Sequence, residues 1–112
     1  MTKNRSGRRA LYRSHAASAW FGLCACEMER ENYLQAVKDC QKSLSIEKDD
    51  PDSYMLLGEV YTRLFNADNS KEYLAHSRDG FENALRLNPN YEKAPELRNK
   101  LREINALLAT IH

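Results

Sequence analysis

Cys24, Cys26 and Cys40, with His15 or His76 as a fourth donor, are the residues of this sequence that could ligate a metal. Structural zinc sites collect four such donors. The spacing opposes that chemistry. On a helix, residues two apart point about 200° away from each other, so only one of Cys24 and Cys26 can face Cys40. Core packing is the expectation for Cys24 and Cys40, and partial exposure, open to oxidation, for Cys26. An odd cysteine count, in a chain whose start lacks the apolar run of a signal peptide, argues against a disulfide scaffold and for a reducing, cytoplasmic setting. Glu27-x-Glu29 cannot pair on one helix face either. His15, His76 and His112 have no nucleophile at a motif spacing, and the four glycines are scattered rather than gathered in a phosphate loop. No catalytic residue, metal or cofactor is expected.

Charge is unevenly placed. The 112 residues carry 17 basic and 16 acidic side chains, for a net charge of +1. Lys3, Arg5, Arg8, Arg9 and Arg13 precede the first acid, Glu27, so the body from Ser14 onward is net acidic. Residues 1–13 read as a flexible basic arm. Such an arm can touch RNA, DNA or an anionic membrane. With only Tyr12 beside it and no aromatic-interleaved basic patch, the expectation is a solvated linker, and nucleic-acid binding is not expected. An acid-free, arginine-rich start is shared with mitochondrial presequences, but a linker or a truncation point is the plainer reading. No stretch approaches the eighteen or so apolar residues of a membrane span.

Any site must be positioned by helices, because no segment alternates like a strand. Trp20, Leu23, Cys24 and Glu27 follow the helical rhythm in a segment from Ser14 to about Arg30–Asn32. A second segment, Tyr33 to about Ile46, has Ala36, Val37, Cys40, Ser43 and Leu44 inward. Asp50 then reads as an N-cap with Pro51 in the first turn. The third segment runs from Pro51 to about Phe65, followed by a polar loop over Asn66–Ser70. The fourth starts between Ser70 and Tyr73 and reaches Leu87, with Phe81, Ala84 and Leu85 on its apolar side. Asn88-Pro89-Asn90 marks a turn. The last spans Tyr91 to about Ala109, with Leu97, Leu101, Ile104 and Leu108 as its stripe. Pro95 there either distorts the first turn or moves the true start to near Ala94. The class is all-α, with five helices.

The sequence repeats itself. Shifting Ala17 onto Pro51 brings Trp20 onto Tyr54, Leu23 onto Leu57 and Cys24 onto Gly58. In this the chain resembles the tetratricopeptide repeat, a helix–turn–helix unit of about 34 residues. Residues 17–50 match its pattern at Trp20, Leu23, Cys24, Tyr33, Ala36 and Leu44, and depart from it at Glu27, Cys40, Ser43 and Lys48. The second copy, residues 51–91, matches at Tyr54, Leu57, Gly58, Tyr61, Phe81, Ala84, Leu85, Leu87 and Pro89. It carries an insertion of about seven residues near 65–75. Residues 92–110 would be the capping helix that gives a stacked array its polar outer face. Small residues at Cys24 and Gly58 would let paired helices approach closely. Two repeats are few for such an array, so a neighbouring repeat or an oligomer is implied.

In this family the first helix of each repeat lines a concave groove. The resemblance places Ser18, Phe21, Gly22, Ala25, Met28 and Glu29 there, with Asp52, Met55, Leu56, Glu59, Thr62 and Arg63 from the second repeat. Phe21, Met28, Met55 and Leu56 would form an apolar floor. The implied function is a non-catalytic adaptor or scaffold that binds a peptide or helix of a partner protein. The alternative is a structural module whose groove is buried by self-association or by a larger parent protein. The co-chaperone carboxylate clamp is not expected, since Phe21, Ala25 and Leu56 replace its polar residues. Glu27 puts a carboxylate where the family has an aromatic. It is either paired, with Arg13, Arg30 or Arg63, or wet.

Overall fold

The computed structural model describes the backbone of residues 2–111 and the side chains from Arg13 to Ile111. Five helices follow in order: α1 (Thr2–Glu29), α2 (Tyr33–Ile46), α3 (Pro51–Asp68), α4 (Lys71–Leu87) and α5 (Ala94–Thr110). No strand occurs among the described residues. Each helix packs on the next, and α1 also touches α3. The chain is thus two helical hairpins, α1–α2 and α3–α4, followed by α5.

The expected boundaries hold for α2 and for the start of α3. Asp50 caps α3, its carboxylate accepting from the Asp52 N–H at 3.1 Å with Pro51 in the first turn. Pro needs no N–H there. The start of α5 at Ala94 decides the question about Pro95: the proline lies in the first turn, where its missing N–H costs nothing.

Two expectations are corrected. The backbone of residues 2–13 is helical and continuous with the rest of α1, where a flexible arm was expected. No acid or proline interrupts that stretch. The polar loop over Asn66–Ser70 shrinks to Asn69 and Ser70. α3 and α4 instead run to 18 and 17 residues, against the 14 of α2. Asn69 ends α3 in the left-handed conformation, φ 58°, and its N–H bonds the Phe65 carbonyl. Asparagine tolerates that conformation better than most residues.

Two apolar clusters fill the fold. The first gathers Cys24, Met28, Ala36, Val37, Cys40, Leu56, Val60 and Leu64, bringing α1, α2 and α3 together. The second gathers Leu74, Phe81, Ala84, Leu97 and Ile104, bringing α4 and α5 together, with Tyr54 and Met55 of α3 packed against it. α3 therefore serves both.

The close approach of α3 to α4 is built on two glycines. A Cβ on Gly58 would lie 2.8 Å from the Phe81 ring, and one on Gly80 2.9 Å from the Gly58 nitrogen and the Tyr54 carbonyl oxygen. The Gly58 carbonyl faces two hydroxyls, Ser77 at 2.9 Å and Thr62 at 3.0 Å, which lie 2.6 Å from each other. One hydroxyl donates to the carbonyl while the other donates to its neighbour or also to the carbonyl.

Cys24 and Cys40 are joined by a disulfide, where free packed thiols were expected. Both are fully buried, and their Cα atoms are 5.3 Å apart. The count of three misled because parity speaks to the whole set, whereas pairing depends on two side chains meeting. Cys26, on another face of α1, is free and exposed.

Candidate functional site

The seam between α1 and α3 is mostly closed. Met28 and Leu56, expected on an open groove floor, are buried members of the first cluster. Their faces of α1 and α3 meet each other and α2, so little of them is left for a ligand. Phe21 and Ala25 pack against the same cluster and are half-buried, while Met55 packs on the second. Gly22 is exposed, with nothing within 4 Å of where its Cβ would stand. Glu29 and Arg63 close the seam's surface with an ion pair at 3.8 Å. Both are exposed, so the pair adds little stability.

Further toward the α1 N-terminus lies a small recess of about 240 Å³, lined by Ser14, Ala17, Ser18, Phe21, Glu47, Asp50 and Asp52. Beneath it, Ser43 donates to the Ala17 carbonyl at 2.8 Å and Ser53 donates to the Asp50 carboxylate at 2.7 Å. With both protons committed, the 3.4 Å contact between Ser43 and Ser53 is no further bond.

A cleft larger than that recess lies between α3 and α5, over α4. This cleft measures about 520 Å³. Glu59, Thr62 and Arg63 line it from α3. Phe65, Leu74, Phe81, Lys100, Glu103, Ile104 and Leu107 complete it and were not singled out for a site. Leu107 was the available signal: it lies beside the stripe of Leu97, Leu101, Ile104 and Leu108, and is 44% exposed. Lys100 is held above the floor, 5.6 Å from the centroid of the Phe81 ring, with Glu59 at 3.9 Å and Glu96 at 4.0 Å. The cleft thus has an apolar floor and a rim with both signs of charge, a composition usual for binding sites.

Other groups have structural explanations. Glu27 is paired and only partly buried: Asn32 donates to its carboxylate at 2.9 Å, and Arg30 stands 3.5 Å away. Arg30, not Arg13 or Arg63, is its cationic partner, and the pairing ties down the α1–α2 turn. Tyr91 donates to Asp52 at 2.6 Å, linking the start of the α5 segment to α3. That hydrogen bond, and then burial, push the Tyr91 hydroxyl up from 10.0 to about 12. Burial, helped by Tyr73, also raises Tyr61, which packs against His76 with ring centroids 4.9 Å apart. His76 itself is exposed. Among the described residues no three His, Cys, Asp or Glu side chains converge to hold a metal. Among the same residues no helix is long and apolar enough to cross a membrane.

Compared with known proteins, the chain matches no protein-family model and no curated protein.

Proposed function

We propose that the chain is a tetratricopeptide-like interaction module, without catalytic activity, that holds a short helix or extended peptide of a partner protein in the α3–α5 cleft. The observation that carries this reading is the cleft itself: about 520 Å³ with Phe65, Phe81 and Ile104 at its floor and the exposed Leu107 at its rim. Such a volume suits one or two apolar anchor side chains. Glu59, Arg63, Lys100 and Glu103 can then fix the direction of the flanking backbone. The repeat of residue types between the two hairpins, and the consecutive packing of α1 to α5, support the family reading.

A second reading, assembly, has its own observation. Leu23 is 47% exposed and Leu34 61%, both on the first hairpin. Burying them against a second copy or a further repeat would recover apolar area.

One experiment addresses both readings. Peptides are selected from a random library on the full chain, and their affinities are compared on two variants, Leu107→Glu and Leu23→Glu/Leu34→Glu. The cleft reading expects at least a ~10-fold loss on the first variant and none on the second. Selected peptides that bind Leu107→Glu as well as the unmodified chain would remove the cleft from consideration. Sedimentation of the same proteins tests assembly, which expects an oligomer that the double variant dissociates.

A further inference from the structure

The first hairpin is closed by a bond that can be chemically undone. Cys24 of α1 and Cys40 of α2 form a disulfide with both residues fully buried. Among the described residues of α1 and α2, Met28 is the only other large apolar side chain that is buried. α2 gives the first cluster the buried Ala36, Val37 and Cys40, with Tyr33 partly buried against it, and its buried polar residues are Asp39 and Ser43. α4, by contrast, gives the second cluster Leu74, Phe81 and Ala84. Polar ties from α1 to α2 and its leading turn include the Ser43 bond to Ala17 at 2.8 Å and the Asn32 bond to Glu27 at 2.9 Å. A hairpin whose aromatics on that cluster, Phe21 and Tyr33, are only partly buried depends more on its covalent tie than one anchored by the buried Phe81.

We propose that the Cys24–Cys40 bond is a reducible staple specific to the first hairpin, and that its substrate-side partner is a dithiol. A thiolate of the dithiol attacks one cysteine sulfur, forming a mixed disulfide and releasing the other cysteine as a thiolate. The second thiol of the dithiol then displaces the remaining cysteine. The dithiol leaves as its own disulfide, and Cys24 and Cys40 have gained two electrons and two protons. Because neither cysteine is accessible, attack waits on a local opening of α1 from α2. Reduction makes that opening easier to repeat, so the hairpin loosens while α4 and α5 stay packed around Phe81. Cys26 takes no part, since a residue two positions along a helix points away from Cys24.

The test uses the full chain equilibrated with oxidised glutathione and then treated with dithiothreitol. Maleimide labelling of the oxidised chain should reach Cys26 alone, and reduction should expose Cys24 and Cys40 to the reagent. Labelling of all three cysteines before reduction would show that the staple does not form, and the proposal would be lost. Hydrogen exchange read by mass spectrometry then locates the response. Amides of residues 24–46 should exchange roughly tenfold faster or more after reduction, and those of α4 and α5 less than about twofold faster. No change, or an equal change along the whole chain, overturns the assignment to the first hairpin. A Cys26→Ser variant should respond as the unmodified chain does, and a loss of response there would also overturn it.

Discussion

Where α1 meets α2 the contact is a covalent bond between Cys24 and Cys40; where α3 meets α4 it is the Phe81 ring laid against Gly58. These places are comparable: Cys24 lies 34 residues before Gly58, and in each hairpin a residue of the second helix, Cys40 or Phe81, meets it. One pair is small and linked, the other is a large ring filling the gap left by a missing Cβ. The second solution needs more room, and Gly80 supplies it by letting α4 reach the backbone of α3 at Gly58 and Tyr54. One residue before Cys40, as Gly80 is one before Phe81, the first hairpin has Asp39, which carries a Cβ and is bonded by Gln35 at 3.0 Å. Hydroxyls do matching work in both: Ser43 bonds a carbonyl of α1, and Ser77 one of α3. Two helical hairpins can thus close at comparable places and differ in the chemistry of the contact.

The sharpest way to break this comparison is to remove each anchor. Phe81→Ala should cost about 3–5 kcal/mol by chemical denaturation, because a buried aromatic is lost from the second cluster. Cys24→Ser/Cys40→Ser should cost about 3 kcal/mol, the expected worth of closing a loop of this length. A double variant more costly than Phe81→Ala would mean that the disulfide, not the ring, is the main anchor of the fold. Next in size is the glycine. Gly80→Ala sets a methyl 2.9 Å from backbone atoms that cannot rotate away, so a loss of about 1–3 kcal/mol is expected. Asp39→Ala, at the comparable place, should cost under about 1 kcal/mol, since only its bond from Gln35 is removed. Equal costs at the two positions would show that the α3–α4 crossing is no closer than the other.

The second hairpin is also tied forward, through Tyr91 and Asp52. The folded pKa of Tyr91, about 12, lies above its ordinary value of 10.0. The protonated phenol is thus favoured by folding, so the tie contributes fully below pH 10 and is lost as pH rises toward about 12. Tyr91→Phe should cost about 0.5–1 kcal/mol at neutral pH. It should also flatten the alkaline loss of thermal stability over that window, and an unchanged alkaline profile would count against the tie.

Much of this architecture was legible in the residues. Asp50-Pro51 announced the start of α3 because both residue types act locally, and the Cys24–Gly58 correspondence marked the two helix contacts. What was not legible depended on depth and partners. Met28 and Leu56 have the side chains of a groove floor, but only the packing of α1 on α3 shows that they are covered. Gly80 carries a signal of its own, since a glycine inside a helix costs about 1 kcal/mol and so marks a close approach. The disulfide needed two distances, not a count. The cleft needed α5 to be seen as a wall as well as a cover, and Leu107 was the one residue whose position hinted at it.

The smallest expected effect separates the two hairpin turns. Glu31 closes the α1–α2 turn at φ 65°, and Asn69 closes the α3–α4 turn at φ 58°. Both use the left-handed region, in which a Cβ crowds the following carbonyl. Asparagine lowers that cost by local hydrogen bonding, whereas glutamate is too long to do so. Glu31→Gly therefore relieves more strain than it adds in chain entropy, and a gain of about 0.5 kcal/mol is expected. At Asn69 the two terms nearly cancel, so Asn69→Gly should change the denaturation midpoint little. A gain at Asn69 equal to that at Glu31 would mean that the asparagine confers no advantage. The difference between the turns would then reduce to length, three residues against two, and not to the residue chosen for the left-handed position.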